Sequence, residues 1–353
     1  MNPQLDRPAL VFVDIGRGGV RERNTMKLLL AIDSITTLEI FLDAMMARSW
    51  PVGTQARVLS IVEDGEVPLE TWHEESYVVA AVRKEMERRG GQITALAVER
   101  LRQIGIPAEV VIMRGNPEFL ISFTARKWPA DLILIRAHNR TDFRNWLLGS
   151  VAKSVVDGAP CSVEIVRDAD EQHSVNGNRG MRILLATDGS YVSLAAAQAV
   201  GETSWPEQSQ VKVVNVINPM IYSLEEIGLL SDKETDRAHR AIGQAIGVLR
   251  GTPLKVSGEV LAGGTERQII DRAKNWDADL IVVGTHRRRG LKRLLFGSTS
   301  EIVANRAHCS VRIIRGRDVS HSQESLPGRS SPSAQHMGRV YRLTDDLGRR
   351  GAG

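Results

Sequence analysis

The residues best suited to chemistry lie in the second half of the chain. Gly284 is separated by twelve residues from Gly297-Ser298, and the interval holds Arg287, Arg288, Arg289, Lys292 and Arg293. Glycine lets backbone N–H groups approach an anion closely and tolerates positive φ. Gly297-Ser298 leads into a helical pattern, so free N–H groups and the positive end of the helix dipole would face that anion. The basic side chains can pair with phosphate oxygens, or simply solvate the loop. Residues of these types are able to meet a phosphate. Ser298 and Glu301 also match the S-x-x-E capping box, a structural role compatible with it. Asp188 closes an apolar run, and a carboxylate at the end of a strand can accept a ribose hydroxyl. Asp188-Gly189-Ser190 is equally good N-cap chemistry, and both roles stand open.

Other chemistry finds little support. His138 and His286 each stand beside a loop without the companions of a metal site, so packing or a hydrogen bond is expected and no metal. Cys161 and Cys309 lack disulfide or metal spacing and read as small buried apolar residues. No Ser–His–Asp, Cys–His or G-x-S-x-G arrangement is present, so the sequence offers no catalytic residue and makes no case for an enzyme. The chain has 353 residues, 42% hydrophobic and 25% charged, with net charge +4 and pI near 9.2. That is ordinary globular composition, mildly favourable to anions. No segment has the ~18 apolar residues of a membrane helix, and no secretory signal is legible, so the cytoplasm is expected. The Arg- and Gly-rich ends lack interleaved aromatics, which argues against nucleic-acid binding.

The elements that must position these residues come in two copies. Met26-Lys-Leu-Leu-Leu-Ala-Ile-Asp33 recurs as Met181-Arg-Ile-Leu-Leu-Ala-Thr-Asp188, and Ser49-Trp50-Pro51 as Ser204-Trp205-Pro206, both 155 residues on. Later the offset is 148, relating Trp128-Pro-Ala-Asp-Leu-Ile to Trp276-Asp-Ala-Asp-Leu-Ile, Gly149-Ser150 to Gly297-Ser298, and Cys161-Ser-Val to Cys309-Ser-Val. A period of this size is a domain duplication rather than a solenoid. Each copy reads as apolar strands alternating with helices. Strands are expected near 27–32, 57–62, 108–113, 131–135 and 162–166, and near 182–187, 211–217, 255–261, 279–283 and 310–314. Long helices are expected near 73–103 and 222–250. Such alternation implies parallel βαβ units in two tandem doubly wound α/β domains, Rossmann-like, with ligands bound beyond the carboxyl ends of the strands. The domains are expected at 26–167 and 181–316, joined by a polar linker at 168–180, with an N-terminal extension at 1–25 and a disordered tail at 317–353.

These motifs together resemble the universal stress protein family, whose loop after the fourth strand reads G-x2-G-x9-G-[S/T]. The second copy keeps the spacing, with Gly284, Gly297 and Ser298 in place and Arg287 where the middle glycine belongs. The first copy has Arg136 and Asn139 at the two early glycines and keeps only Gly149-Ser150. The resemblance implies strand order 3-2-1-4-5, five strands per domain, and a role in stress sensing or regulation. It also implies ATP, with Mg²⁺, in the second domain only. Asp188 and Val216 would flank the nucleoside, with Asp33 and Ile61 their counterparts; Gly284, Arg287, Gly297 and Ser298 would meet the phosphates. Arg287 either blocks the phosphate path or supplies charge. The alternative is a scaffold that binds no nucleotide and acts through protein partners, and a homo-oligomer or regulatory partner is left open.

The family habit of pairing fifth strands antiparallel about a two-fold axis carries one more expectation. Glu164 and Arg312 are repeat-equivalent and stand in strands that should be apolar on both faces. Pairing one copy with the other can bring them together, whereas like copies would oppose like charges. Both side chains pointing to solvent is the competing expectation.

Overall fold

A computed structural model describes residues 25–63, 77–137, 148–168, 179–218, 227–285 and 298–316. The first repeat runs β1 (Lys27–Ala31), α1 (Ile35–Met46), β2 (Gln55–Val62), α2 (Tyr77–Gln103), β3 (Ala108–Arg114), α3 (Pro117–Lys127), β4 (Leu132–Arg136), α4 (Ser150–Gly158) and β5 (Ser162–Val166). The second runs β6 (Arg182–Ala186), α5 (Tyr191–Gly201), β7 (Gln210–Ile217), α6 (Ile227–Val248), β8 (Lys255–Ala262), α7 (Thr265–Asn275), β9 (Leu280–Thr285), α8 (Ser298–Arg306) and β10 (Ser310–Arg315). The N-terminal extension, most of the linker and the C-terminal tail expected from the sequence lie outside the described residues.

Both repeats contribute to one ten-stranded sheet, ordered β3-β2-β1-β4-β5-β10-β9-β6-β7-β8. Within each repeat every pairing is parallel, and the order 3-2-1-4-5 appears twice, mirrored about the seam. The seam is the antiparallel pair β5–β10. Apolar runs form the central strands because both faces are covered. Leu28 and Leu30 pack under α1 and α2, while Leu29 faces the opposite core. That opposite core, beneath α3, α4, α7 and α8, runs unbroken across the seam, whereas the cores beneath α1 and α5 are separate. The Ala-Asp-Leu-Ile repeat has a structural cause at the other end of the sheet. Asp131 accepts a hydrogen bond from the Lys27 amide at 2.9 Å, and Asp279 one from the Arg182 amide at 2.8 Å, fastening the fourth strand of each repeat to the first.

A charged cluster occupies the gap between the two separate cores. Arg312 stands opposite Glu164 in the register and donates from Nε to Oε2 at 2.7 Å, while Arg48 donates from Nη2 to Oε1 at 2.6 Å. All three side chains are buried, so the solvent-facing alternative does not hold. The Arg48 guanidinium lies 4.7 Å from the Trp50 ring centroid and 5.9 Å from that of Trp205, and Arg312 lies 5.7 Å from Trp205. The indole faces thus offset a cluster with two cations for one carboxylate. Burial pushes the Glu164 carboxyl up, but Arg312 and Arg48 outweigh it and hold it down at about 2. Burial pulls Arg48 down to about 10, because Glu164 only partly compensates and Arg312 opposes its charge.

Around this cluster the contacts repeat about a pseudo-two-fold axis. The Ser49 amide donates to the Ser204 carbonyl at 2.9 Å. Arg167 donates to the Ala304 carbonyl, and its equivalent Arg315 to the carbonyls of Val156 and Asp157. Equivalent positions near the axis face each other, and two of them carry opposite charges. One such pair is Glu164–Arg312; the other is Lys153–Glu301, whose Nζ and Oε1 are 3.0 Å apart. The capping box expected at Ser298 is therefore not formed: Ser298 is already the first helical residue, and Glu301 turns to Lys153.

Replacing Glu164 by Gln strands two buried guanidiniums, and the expected loss is about 3–5 kcal/mol in denaturant unfolding. The folded pKa of Glu164 lies below its ordinary 4.5, so this stabilisation is complete above pH 4.5 and is lost as pH falls towards about 2. Unfolding curves of the unmodified chain and the Gln variant are thus expected to converge over that interval.

A charge swap tests the third member. Glu164→Arg with Arg312→Glu leaves Arg48 beside a new arginine and is expected to recover only part of the lost melting temperature. Adding Arg48→Thr and Thr203→Arg moves the third member to its repeat-equivalent place and is expected to recover the rest. Equal recovery without those two changes would show that Arg48 is a bystander.

Candidate functional site

The carboxyl ends of β6, β7 and β9 meet the start of α5, and most of the described candidate residues gather there. Asp188 follows β6 on the turn into α5 and is exposed. Its Oδ1 accepts a hydrogen bond from the Ser190 amide at 2.9 Å. The helix cap itself is Ser190, whose Oγ accepts from the Ser193 amide at 3.3 Å, so capping does not consume the aspartate. Burial pushes the Asp188 carboxyl up, but hydrogen bonds from Ser190 and Ser193 prevail and leave it below the usual carboxylate range. It is an ionised acceptor at neutral pH, held in place by its own turn.

That turn depends on Gly189, whose φ of +77° is in the left-handed region and whose added Cβ would stand 3.0 Å from the Ala241 Cβ. Thr187 Oγ1 accepts from the Gly189 amide at 3.2 Å and lies 3.0 Å from Ser193 Oγ. Asn215 on β7 donates from Nδ2 to the Thr187 carbonyl at 2.7 Å, tying the neighbouring strand to the turn. Val216, the next residue, is half-buried against the shared core, and β7 and β8 are joined past it by the Gly263 amide, which donates to the Ile217 carbonyl at 2.9 Å.

Gly284 has a packing role independent of any anion. A Cβ there would lie 2.9 Å from the Val192 carbonyl carbon and oxygen, so glycine is what lets the first turn of α5 rest on β9. Gly316, after β10, extends the same contact, its added Cβ being 3.2 Å from Val192 Cγ2. The repeat-equivalent positions in the first copy are Arg136 and Asp168, which pair at 3.3 Å between Nη2 and Oδ2. Arg136 is about one-sixth exposed, with its side chain at 17%. An ion pair thus stands in the first repeat where two glycines admit a helix in the second. The turn differs as well. In the first repeat Ser34 caps α1 directly after Asp33, and Thr37 Oγ1 donates to the Asp33 carboxylate.

Ser298 opens α8 and is exposed; its neighbour Thr299 donates from Oγ1 to Glu266 Oε1 at 3.1 Å. Arg287, Gly297, the remaining basic cluster and both candidate histidines lie outside the described residues. The counterpart of Gly297 is described: Gly149 is the N-cap of α4, with φ −62°, and nothing stands within 4 Å of an added Cβ. Neither backbone strain nor packing requires glycine at that place. Both cysteines are free; burial, the largest influence on each, pushes the thiols up to about 12, as an apolar role requires. Among the described residues there is no His/Cys/Asp/Glu group able to hold a metal, and no helix long and apolar enough to cross a membrane. Asn215 and Gly316 were not singled out from the sequence, and Gly189 was named only as part of the Asp188-Gly189-Ser190 cap. The repeat offset that pairs Gly316 with Asp168 was the signal available for Gly316.

Comparison with known proteins agrees with the geometry. The model of the universal stress protein family matches twice, over residues 25–167 and 181–315. A universal stress protein of Methanocaldococcus jannaschii is 30% identical over 138 residues, which is 38% of this chain and 81% of the relative. A universal stress protein of Mycobacterium tuberculosis is 28% identical over 247 residues, covering 65% of this chain and 78% of the relative. The crystal structure of a universal stress protein from Archaeoglobus fulgidus shares the fold with a TM-score of 0.61 at 19% identity, covering 84% of this chain and 100% of the other. With the family model matched twice over most of its length, the chain belongs to the universal stress protein family.

Proposed function

We propose that this protein is a cytoplasmic stress-response regulator that binds ATP, as its Mg²⁺ complex, at the carboxyl end of the second repeat's strands. The observation that carries this reading is the asymmetry of the two repeats at equivalent places. The second presents an exposed, ionised Asp188 on a glycine-built turn, with Gly284 and Gly316 free of side chains. The first presents the Arg136–Asp168 ion pair. In this reading Asp188 accepts a ribose hydroxyl and Val216 meets the base. The Gly284 segment, Arg287, Gly297 and the start of α8 at Ser298 meet the phosphates. The first repeat serves by pairing, which is where the scaffold reading applies.

Calorimetric titration with ATP and Mg²⁺ is expected to give one site per chain. Asp188→Ala is expected to weaken binding about tenfold or more, as loss of a charge-assisted hydrogen bond does. Asp33→Ala is expected to leave it unchanged. Two equal sites, or no binding at millimolar nucleotide, would overturn the reading.

Arg287→Gly separates the roles open to that residue. Weaker binding with a flatter salt dependence marks a phosphate contact, and tighter binding marks an obstruction.

A further inference from the structure

We propose that the seam binds one small monovalent anion of the halide class, held by the N–H groups of Arg48 and Arg312 that Glu164 does not use. The proposal is independent of the nucleotide reading above. It begins from a charge count. Two guanidiniums meet one carboxylate, and the side chains of Arg48, Arg312 and Glu164 are only 1%, 5% and 2% exposed. A surplus cation in such surroundings is costly unless it is paired. Burial pulls Arg48 down only to about 10, so it keeps its charge at neutral pH.

The hydrogen bonds lead to the same place by a separate route. Glu164 Oε1 accepts from Arg48 Nη2 and Oε2 from Arg312 Nε, so both carboxylate oxygens are engaged. Arg312 Nη1 reaches Thr203 Oγ1 at 3.4 Å, a long contact to a neutral hydroxyl. Arg48 Nε and Arg312 Nη2 are buried, and neither has a hydrogen-bond partner among the described residues. An unmet donor on a buried charged group calls for a partner, and an ion or a water can supply one. The duplication supplies no second carboxylate, because the position equivalent to Arg48 is Thr203.

The setting selects the ligand. The Trp50 and Trp205 rings lie beside the guanidiniums. Their indole N–H groups are already spent on the Met45 and Val200 carbonyls, at 3.0 and 2.8 Å. The rings therefore form apolar walls, and the two spare guanidinium donors are what can hold a guest. One surplus positive charge is cancelled by one negative charge. A dianion such as sulfate or phosphate would reverse the imbalance and lose more hydration on entry. Arg48 comes from the first repeat and Arg312 from the second, so the anion is shared across the seam. Binding only where the two meet, it stabilises the paired arrangement by mass action.

The test is thermal melting of the full-length chain in mixtures of sodium chloride and sodium gluconate at constant ionic strength. Screening is then fixed, and only the anion changes. Gluconate is too bulky for a buried site. Replacing it by chloride up to ~0.3 M is expected to raise the melting temperature by about 2–4 °C and then to level off. Arg48→Met leaves Glu164 and Arg312 paired one to one and is expected to flatten the response. Thr203→Glu keeps both arginines but sets a carboxylate beside Arg312, and is expected to flatten it as well. An unmodified chain that melts alike in the two salts would overturn the inference and assign the spare N–H groups to water. A chloride response undiminished in whichever variant folds would also overturn it, by placing the anion elsewhere on the chain.

Discussion

A single buried carboxylate at the seam governs how the two halves of this molecule meet. Glu164 accepts from Arg312 across the antiparallel strands and from Arg48 within its own repeat, and water is excluded from all three. Removing these charges from water is costly, and the cluster offsets that cost only in the geometry that brings both cations to one acceptor with indole faces alongside. Such an arrangement adds little net stability over an apolar contact, but it penalises other pairings of the same surface. A seam between two first repeats would place Glu164 against Glu164. One between two second repeats would oppose two arginines. The ten-stranded sheet, with its shared core on one face and two separate cores on the other, follows from that choice of partner.

The duplication has also let the two carboxyl ends of the sheet diverge. Where α5 rests on bare backbone at Gly284 and Gly316, α1 faces a strand end filled by Arg136 and Asp168. The second repeat spends glycine on close approach and on the left-handed turn at Gly189, leaving Asp188 exposed and ionised. The first caps its helix immediately after Asp33 and has no such turn. The two ends are alike in strand order and unlike in the surface they offer a ligand. First-repeat contacts reach the helix that opens at Ser298, from Lys153 to Glu301 and from Arg167 to Ala304.

Several features were legible in the residues before any coordinates. Apolar runs located the central strands, which are covered on both faces, whereas the edge strands β3 and β8 are more exposed and carry Glu109 and Glu259. The meeting of Glu164 and Arg312 was legible because equivalent residues near a two-fold axis face each other, so one offset predicts one contact. Arg48 was not, since its counterpart Thr203 carries no charge and it reaches Glu164 from a different element. The capping box at Ser298 was a local pattern overridden by a long-range partner: Lys153 takes Glu301 away from the helix start it would otherwise have closed.

The sequence by itself determined the duplication, the βαβ architecture and the family. These are carried by order along the chain, where periodicity and spacing record which face is buried and where the backbone must turn. Only the tertiary structure decided which charges neutralise one another, that Gly284 serves helix packing, that Ser190 rather than Asp188 caps α5, and that an ion pair fills the first repeat's strand ends. Those outcomes depend on distances between residues far apart in the chain, and a hydrogen bond or a close approach of a few ångströms leaves no periodic trace in the order of residues.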